Sequence, residues 1–87
     1  MKRIYMRAHD PELNIDRDWE CLVTPDLFGN VLIETSWGRV GEKGCRTVRM
    51  FPDETSALRH FRRLLRRRAT ARLRIGTSYR IIASSGD

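Results

Sequence analysis

The sequence predicts an α+β fold: an antiparallel sheet of four to five strands with one main helix packed on one face. Three observations carry this expectation. Residues 3–51 break into short alternating or β-branched runs separated by Pro, Gly, Asn and Asp. One apolar stripe at helical spacing then runs from Ala57 to Ala69. After Gly76, a short run from Tyr79 to Ala83 reads as a last strand.

The elements follow in order. Residues 3–8 place Ile4, Met6 and Ala8 on one strand face. His9 to Arg17, with Pro11 and several acidic or amide side chains, reads as a long loop. Residues 18–24 alternate Trp19, Cys21 and Val23, and Pro25 ends that strand before a Gly29-Asn30 turn. Residues 31–37 are rich in β-branched side chains and form a third strand. Gly38, Gly41 and Gly44 mark a tight loop. Residues 45–51 form a fourth strand, with Arg46 and Arg49 on opposite faces. Pro52-Asp53 opens the helix: Asp53 caps the first turn, and Glu54 suits the positive end of the helix dipole. Ala57, Leu58, Phe61, Leu64, Leu65 and Ala69 form its apolar stripe. Thr70 to Arg74 reads equally as a frayed helical turn or a loop.

Composition bounds the function. At 87 residues the chain is expected to form one domain, 1–87, with one core and no deep catalytic cavity. The net charge of +6 is unevenly spread. Residues 1–54 carry eight Lys/Arg and ten Asp/Glu, whereas residues 55–87 carry nine Arg and one Asp. Such asymmetry points to a polyanionic partner. Arg dominates, and its planar fork binds phosphate oxygens two at a time. Cys21 and Cys45 have no metal-ligand spacing and are expected to be buried, reduced thiols; no metal and no cofactor are expected. With no membrane-length apolar run and no signal-like start, the expected location is cytoplasmic, away from the membrane.

Residues 37–44 read Trp-Gly-Arg-Val-Gly-Glu-Lys-Gly. Together with Tyr5 before them and Phe51, Ala57 and Phe61 after them, this pattern resembles the WGR domain over roughly residues 3–80. WGR domains occur in DNA-damage-dependent poly(ADP-ribose) polymerases and in various bacterial proteins. The resemblance implies DNA binding near a strand break, with Trp37 stacking on sugar at a strand end and basic residues gripping phosphate. Arg39 matches the residue that couples the domain to its neighbours in the polymerases. The polymerase activity itself does not transfer, because the chain lacks the zinc-finger cysteines and the length of a catalytic domain. Three departures stand out: Cys45 where the family often has Gln, a looser Gly76-to-Tyr79 spacing, and a longer first loop.

Spacing alone makes Trp37 a core residue, continuing Val31, Ile33 and Thr35, whereas the resemblance turns its ring toward a ligand. The like-charged pairs Arg59/Arg63, Arg62/Arg66 and Arg63/Arg67 each cost a few tenths of a kcal/mol in an isolated helix, a repulsion that a docked polyanion relieves. A solvated, purely solubilising face is the plainer reading of the same run. The candidate nucleic-acid-binding residues are Trp37, Arg39, Lys43, Arg46, Arg49, Arg59, Arg62, Arg63, Arg66 and Arg67. The expected ligand is DNA at ends or nicks with little base specificity, with RNA as a second candidate. The alternative is a protein-interaction module docking through Arg39 and the Gly38–Gly44 loop. No nucleophile with a base, phosphate loop or carboxylate pair marks an enzyme.

Overall fold

Cross-strand pairing sets the first hairpin. In a computed structural model, which describes residues 2–86, β1 (Lys2–Asp10) and β2 (Ile15–Pro25) pair antiparallel from Lys2↔Val23 to Asp10↔Ile15. The expected loop from His9 to Arg17 is therefore largely strand, and only residues 11–14 turn. The turn is stabilised locally: Asp10 accepts from the Glu12 and Leu13 amides at 3.1 and 3.3 Å, and Asn14 takes φ 54°. Asp16 accepts from Arg7 Nε at 2.9 Å and lies 3.3 Å from His9 Nδ1. These opposite-charge neighbours across the ladder override the turn-forming composition.

β3 (Val31–Arg39) pairs with β2, and β4 (Cys45–Phe51) pairs with β3. β5 (Arg80–Gly86) returns to pair with β1, giving the order β4-β3-β2-β1-β5, antiparallel throughout. The register slips between Tyr5 and Met6, where Ile82 is the extra residue of a bulge.

One sheet face is covered by α1 (Glu54–Ala69). Met6, Trp19, Cys21, Val23, Val31 and Ile33 pack there against Ala57 and Phe61, with Ile4, Phe51, Leu64, Leu65 and Tyr79 at the margin. Burying a large apolar side chain contributes roughly 1.5–3 kcal/mol. A handful of such chains outweighs the tenths of a kcal/mol lost to each Arg–Arg pair on the helix surface. Asp53 caps α1 by accepting from the Ser56 amide at 2.7 Å, as its position before the helix predicts.

The structure corrects two sequence expectations about burial and resolves the helix ending. Cys21 is buried, and burial pushes its thiol up to about 11, but Cys45 is exposed. Cys45 opens the edge strand β4, whose residues 45–50 are all exposed. Ala69 is exposed, and Ala71 takes the inward position instead. The ambiguous segment after Thr70 is a single helical turn, α2 (Arg72–Ile75), closed by Gly76 at φ 90°. Arg74 ties this turn back to α1 by donating to the Arg67 carbonyl and, at 2.9 Å, to Thr70 Oγ1. Carbonyls left open at the end of α1 are thereby satisfied. No helix among the described residues is long and apolar enough to cross a membrane.

Candidate nucleic-acid interface

The end of β3 is shaped by backbone contact. The last paired position in the β3–β4 ladder is Trp37↔Cys45. Just beyond it, Gly38 and Gly44 meet so closely that a Cβ on Gly44 would lie 2.2 Å from the Trp37 carbonyl oxygen. A Cβ on Gly38 would lie 2.8 Å from the Gly44 Cα. Only glycine fits at either position. Gly41 turns the loop at φ 82°.

Trp37 lies outside the core that its spacing alone predicts. Its side chain lies on the same face as Ile33 and Thr35, as the alternation requires. It is nevertheless 37% exposed, whereas Trp19, its partner on β2, is fully buried beneath Arg68 of α1. Trp37 stands between two hollows. One, of about 450 Å³, runs between β4 and α1 and is lined by Thr35, Thr47, Arg49, His60, Leu64, Arg67 and Arg68. The other, of about 330 Å³, is lined by Arg17, Gly38, Arg39, Arg68 and Tyr79. Trp37 and Arg68 belong to both, and no carboxylate lines either among the described residues.

Arg68 holds the two hollows together. Its guanidinium lies 5.1 Å from the Trp19 ring centroid and 5.5 Å from that of Tyr79, so it is stacked between two aromatics. Burial lowers its pKa, yet a guanidinium stays charged. Its Nε has no hydrogen-bond partner, and neither does the buried Nε1 of Trp19. A part-buried cation in a carboxylate-free hollow attracts an anion more strongly than one fully in water.

The nominated residues separate into groups. Trp37, Arg49 and Arg67 converge on the first hollow; Trp37 and Arg39 share the second. Arg39 also donates to the carbonyl and side-chain oxygens of Asn14, both at 3.1 Å, which ties the end of β3 to the first hairpin. Arg59, Arg62, Arg63 and Arg66 are exposed on α1. Successive residues step roughly 100° around a helix. Arg63 therefore flanks the first hollow, Arg59 and Arg66 crown the helix, and Arg62 falls on the far flank. Lys43 is exposed in the β3–β4 turn. Arg46 stands apart: it lies on the opposite sheet face, where it ion-pairs with Glu34.

Sequence reasoning passed over Arg17, Arg68, Tyr79 and His60. For Arg68 a signal was present. Ala57, Phe61, Leu64 and Arg68 share one helical face, so an Arg falls where the stripe calls for an apolar residue. Arg17 likewise continues the inward alternation of Trp19, Cys21 and Val23. Among the described residues, no three His, Cys, Asp or Glu side chains cluster as metal ligands.

The chain is 38% identical over 66 residues to the uncharacterized protein y4dW of Sinorhizobium fredii (strain NBRC 101917 / NGR234). That match covers 76% of this chain and 32% of the relative, so the chain spans about a third of that protein's length. No solved structure matches. The WGR domain family matches residues 2–72, which include the whole Trp37–Gly44 motif and α1. The chain belongs to the WGR domain family.

Proposed function

We propose that this chain is a non-enzymatic nucleic-acid-binding module that engages DNA at ends, nicks or single-stranded stretches with little base specificity. The observation that supports it most is the placing of Trp37 between two Arg-lined, carboxylate-free hollows. Arg49, Arg63 and Arg67 on one side, and Arg17 and Arg39 on the other, neutralise phosphates. Trp37 supplies a stacking surface, which is worth roughly 1–3 kcal/mol per base. No helix is offered to a major groove with base-reading side chains, so phosphate and stacking contacts dominate.

Binding to intact duplex, nicked duplex and single-stranded DNA across a salt series tests this, with Trp37→Ala measured alongside. If about five phosphates are held, the plot of log K against log salt falls with a slope near −4 to −5. Preference for the nicked or single-stranded ligand is expected to disappear in Trp37→Ala. A slope near zero would overturn the electrostatic grip, and equal loss of all three ligands would overturn the stacking role.

A second reading, a module that docks on a protein, has its own support. Leu27 and Phe28, 97% and 87% exposed, project from the β2–β3 turn at the end of β3 opposite Trp37. The turn is held by Asp26, which accepts from the Phe28 and Asn30 amides at 2.7 and 2.9 Å. Two large apolar side chains fixed in water are a feature of contact surfaces. The absence of binding to all three DNAs at moderate salt would bring this reading first.

A further inference from the structure

The hollow between β4 and α1 contains a group that phosphate neutralisation by arginine leaves unused. His60 is half-buried, with its ring against Phe51 at a centroid distance of 5.1 Å and a tilt of 33°. It shares the hollow with Trp37, Thr47, Arg49 and Arg67. The Phe51 contact restricts the ring, so little side-chain freedom is lost when His60 engages a ligand. The charged groups facing it are all cations: Arg49 from β4, Arg63 and Arg67 from α1, and Arg68 deeper in the hollow.

In the free protein this setting disfavours the imidazolium. Burial first, then the charges of Arg49 and Arg63, hold its pKa below the ordinary histidine value. A phosphodiester seated among Arg49, Arg67 and His60 reverses the balance. It adds a negative charge beside the ring and gives a ring N–H an anionic acceptor, and both favour the imidazolium.

We propose that this hollow seats a backbone phosphate on the far side of Trp37 from Arg39, and that His60 takes up a proton as the phosphate enters, so that nucleic-acid binding tightens as pH falls. The inference rests on the nucleic-acid reading above. His9 provides an internal control. It lies on the opposite sheet face, beside Asp16, far from any site in the proposal.

The test is the affinity of the full chain for an unphosphorylated oligothymidine at constant ionic strength, from about pH 5 to 8, where histidine changes charge. Neither thymine nor a phosphodiester titrates in that range. One linked proton changes the affinity by up to about tenfold per pH unit between the free and bound midpoints. The wild type and His9→Gln are expected to bind tighter toward the acidic end. His60→Gln should lose the trend. NMR titration of the His60 ring in the wild type gives a second readout that needs no variant: its midpoint should rise on adding the oligomer. A flat pH profile with measurable binding and an unmoved midpoint would overturn the proposal and leave the nucleic-acid reading intact. A pH trend that survives in His60→Gln and vanishes in His9→Gln would also overturn it. No binding at any pH would remove both.

Discussion

The two faces of the sheet use the same residue type to different ends. On the open face, arginines are spent on cross-strand partners: Arg3 with Glu20 at 2.5 Å, Arg7 with Asp16 at 2.9 Å, and Arg46 with Glu34. Tyr5 adds a hydrogen bond to Asp18 at 3.3 Å. The Arg7 guanidinium, helped by His9, holds the Asp16 carboxyl below the usual carboxylate range. On the helix-covered face, Arg17, Arg39, Arg49, Arg67 and Arg68 gather around Trp37 in hollows that no carboxylate lines. Net charge therefore says only that a polyanion is welcome. Which arginines are left without a carboxylate partner is decided by where the acidic side chains of β2 and β3 point.

The helix-side arrangement should break most severely at the glycines that aim it. Gly44→Ala places a methyl group against the Trp37 carbonyl and is expected to lower stability by about 2–3 kcal/mol in urea unfolding. Gly41→Ala meets open space at φ 82° and should cost nearer 1 kcal/mol. Equal losses would mean that the Gly38–Gly44 contact does not constrain Trp37. A second contrast sets the faces directly against each other. Arg49→Gln with Arg67→Gln should weaken DNA binding by about tenfold or more and reduce the salt slope by roughly 1.8. Arg7→Gln with Arg46→Gln should leave the slope unchanged. A matched drop in both double variants would erase the distinction between the faces.

The smallest effect tests whether the Arg-rich helix can be weakened without touching its ligand surface. Asp53→Ala removes the cap and should lower the Tm at neutral pH by a few degrees. Its carboxyl titrates below the ordinary value because the Ser56 amide donates to it first, followed by the Ser56 hydroxyl. A depressed carboxylate stabilises above its unfolded pKa, and the effect fades as pH falls through the folded one. The Tm gap between wild type and variant should therefore close below about pH 4. DNA affinity at neutral pH should stay level, and a large fall would tie the cap to the interface.

Much of the fold was legible because alternation has a strict period. Val31, Ile33, Thr35 and Trp37 fall on one face, and Arg46 and Arg49 on opposite faces, as the spacing required. The helix likewise began where Pro52-Asp53 placed it. Burial was harder to read. Trp37 and Cys45 are exposed while Trp19, level with them on β2, is fully buried, so cover falls off toward the β4 edge. That depends on how the helix lies across the sheet, a relation no local window contains. The first hairpin was misjudged for a similar reason, since the Arg7–Asp16 pair joins residues nine apart. Arg68 was obscured by its company: in a run of three arginines, only its angular position marks it as inward.

The aromatic seat of Arg68 has one wall that the family match does not reach. Trp19 lies within the matched residues 2–72, whereas Tyr79 and the strand that follows it lie outside. A chain ending at residue 72 would keep the whole motif and the helix, yet leave Arg68 against a single ring with water at its open side. It would also turn β1 into an edge strand. The cage is thus closed by a residue from outside the stretch that carries the family signature.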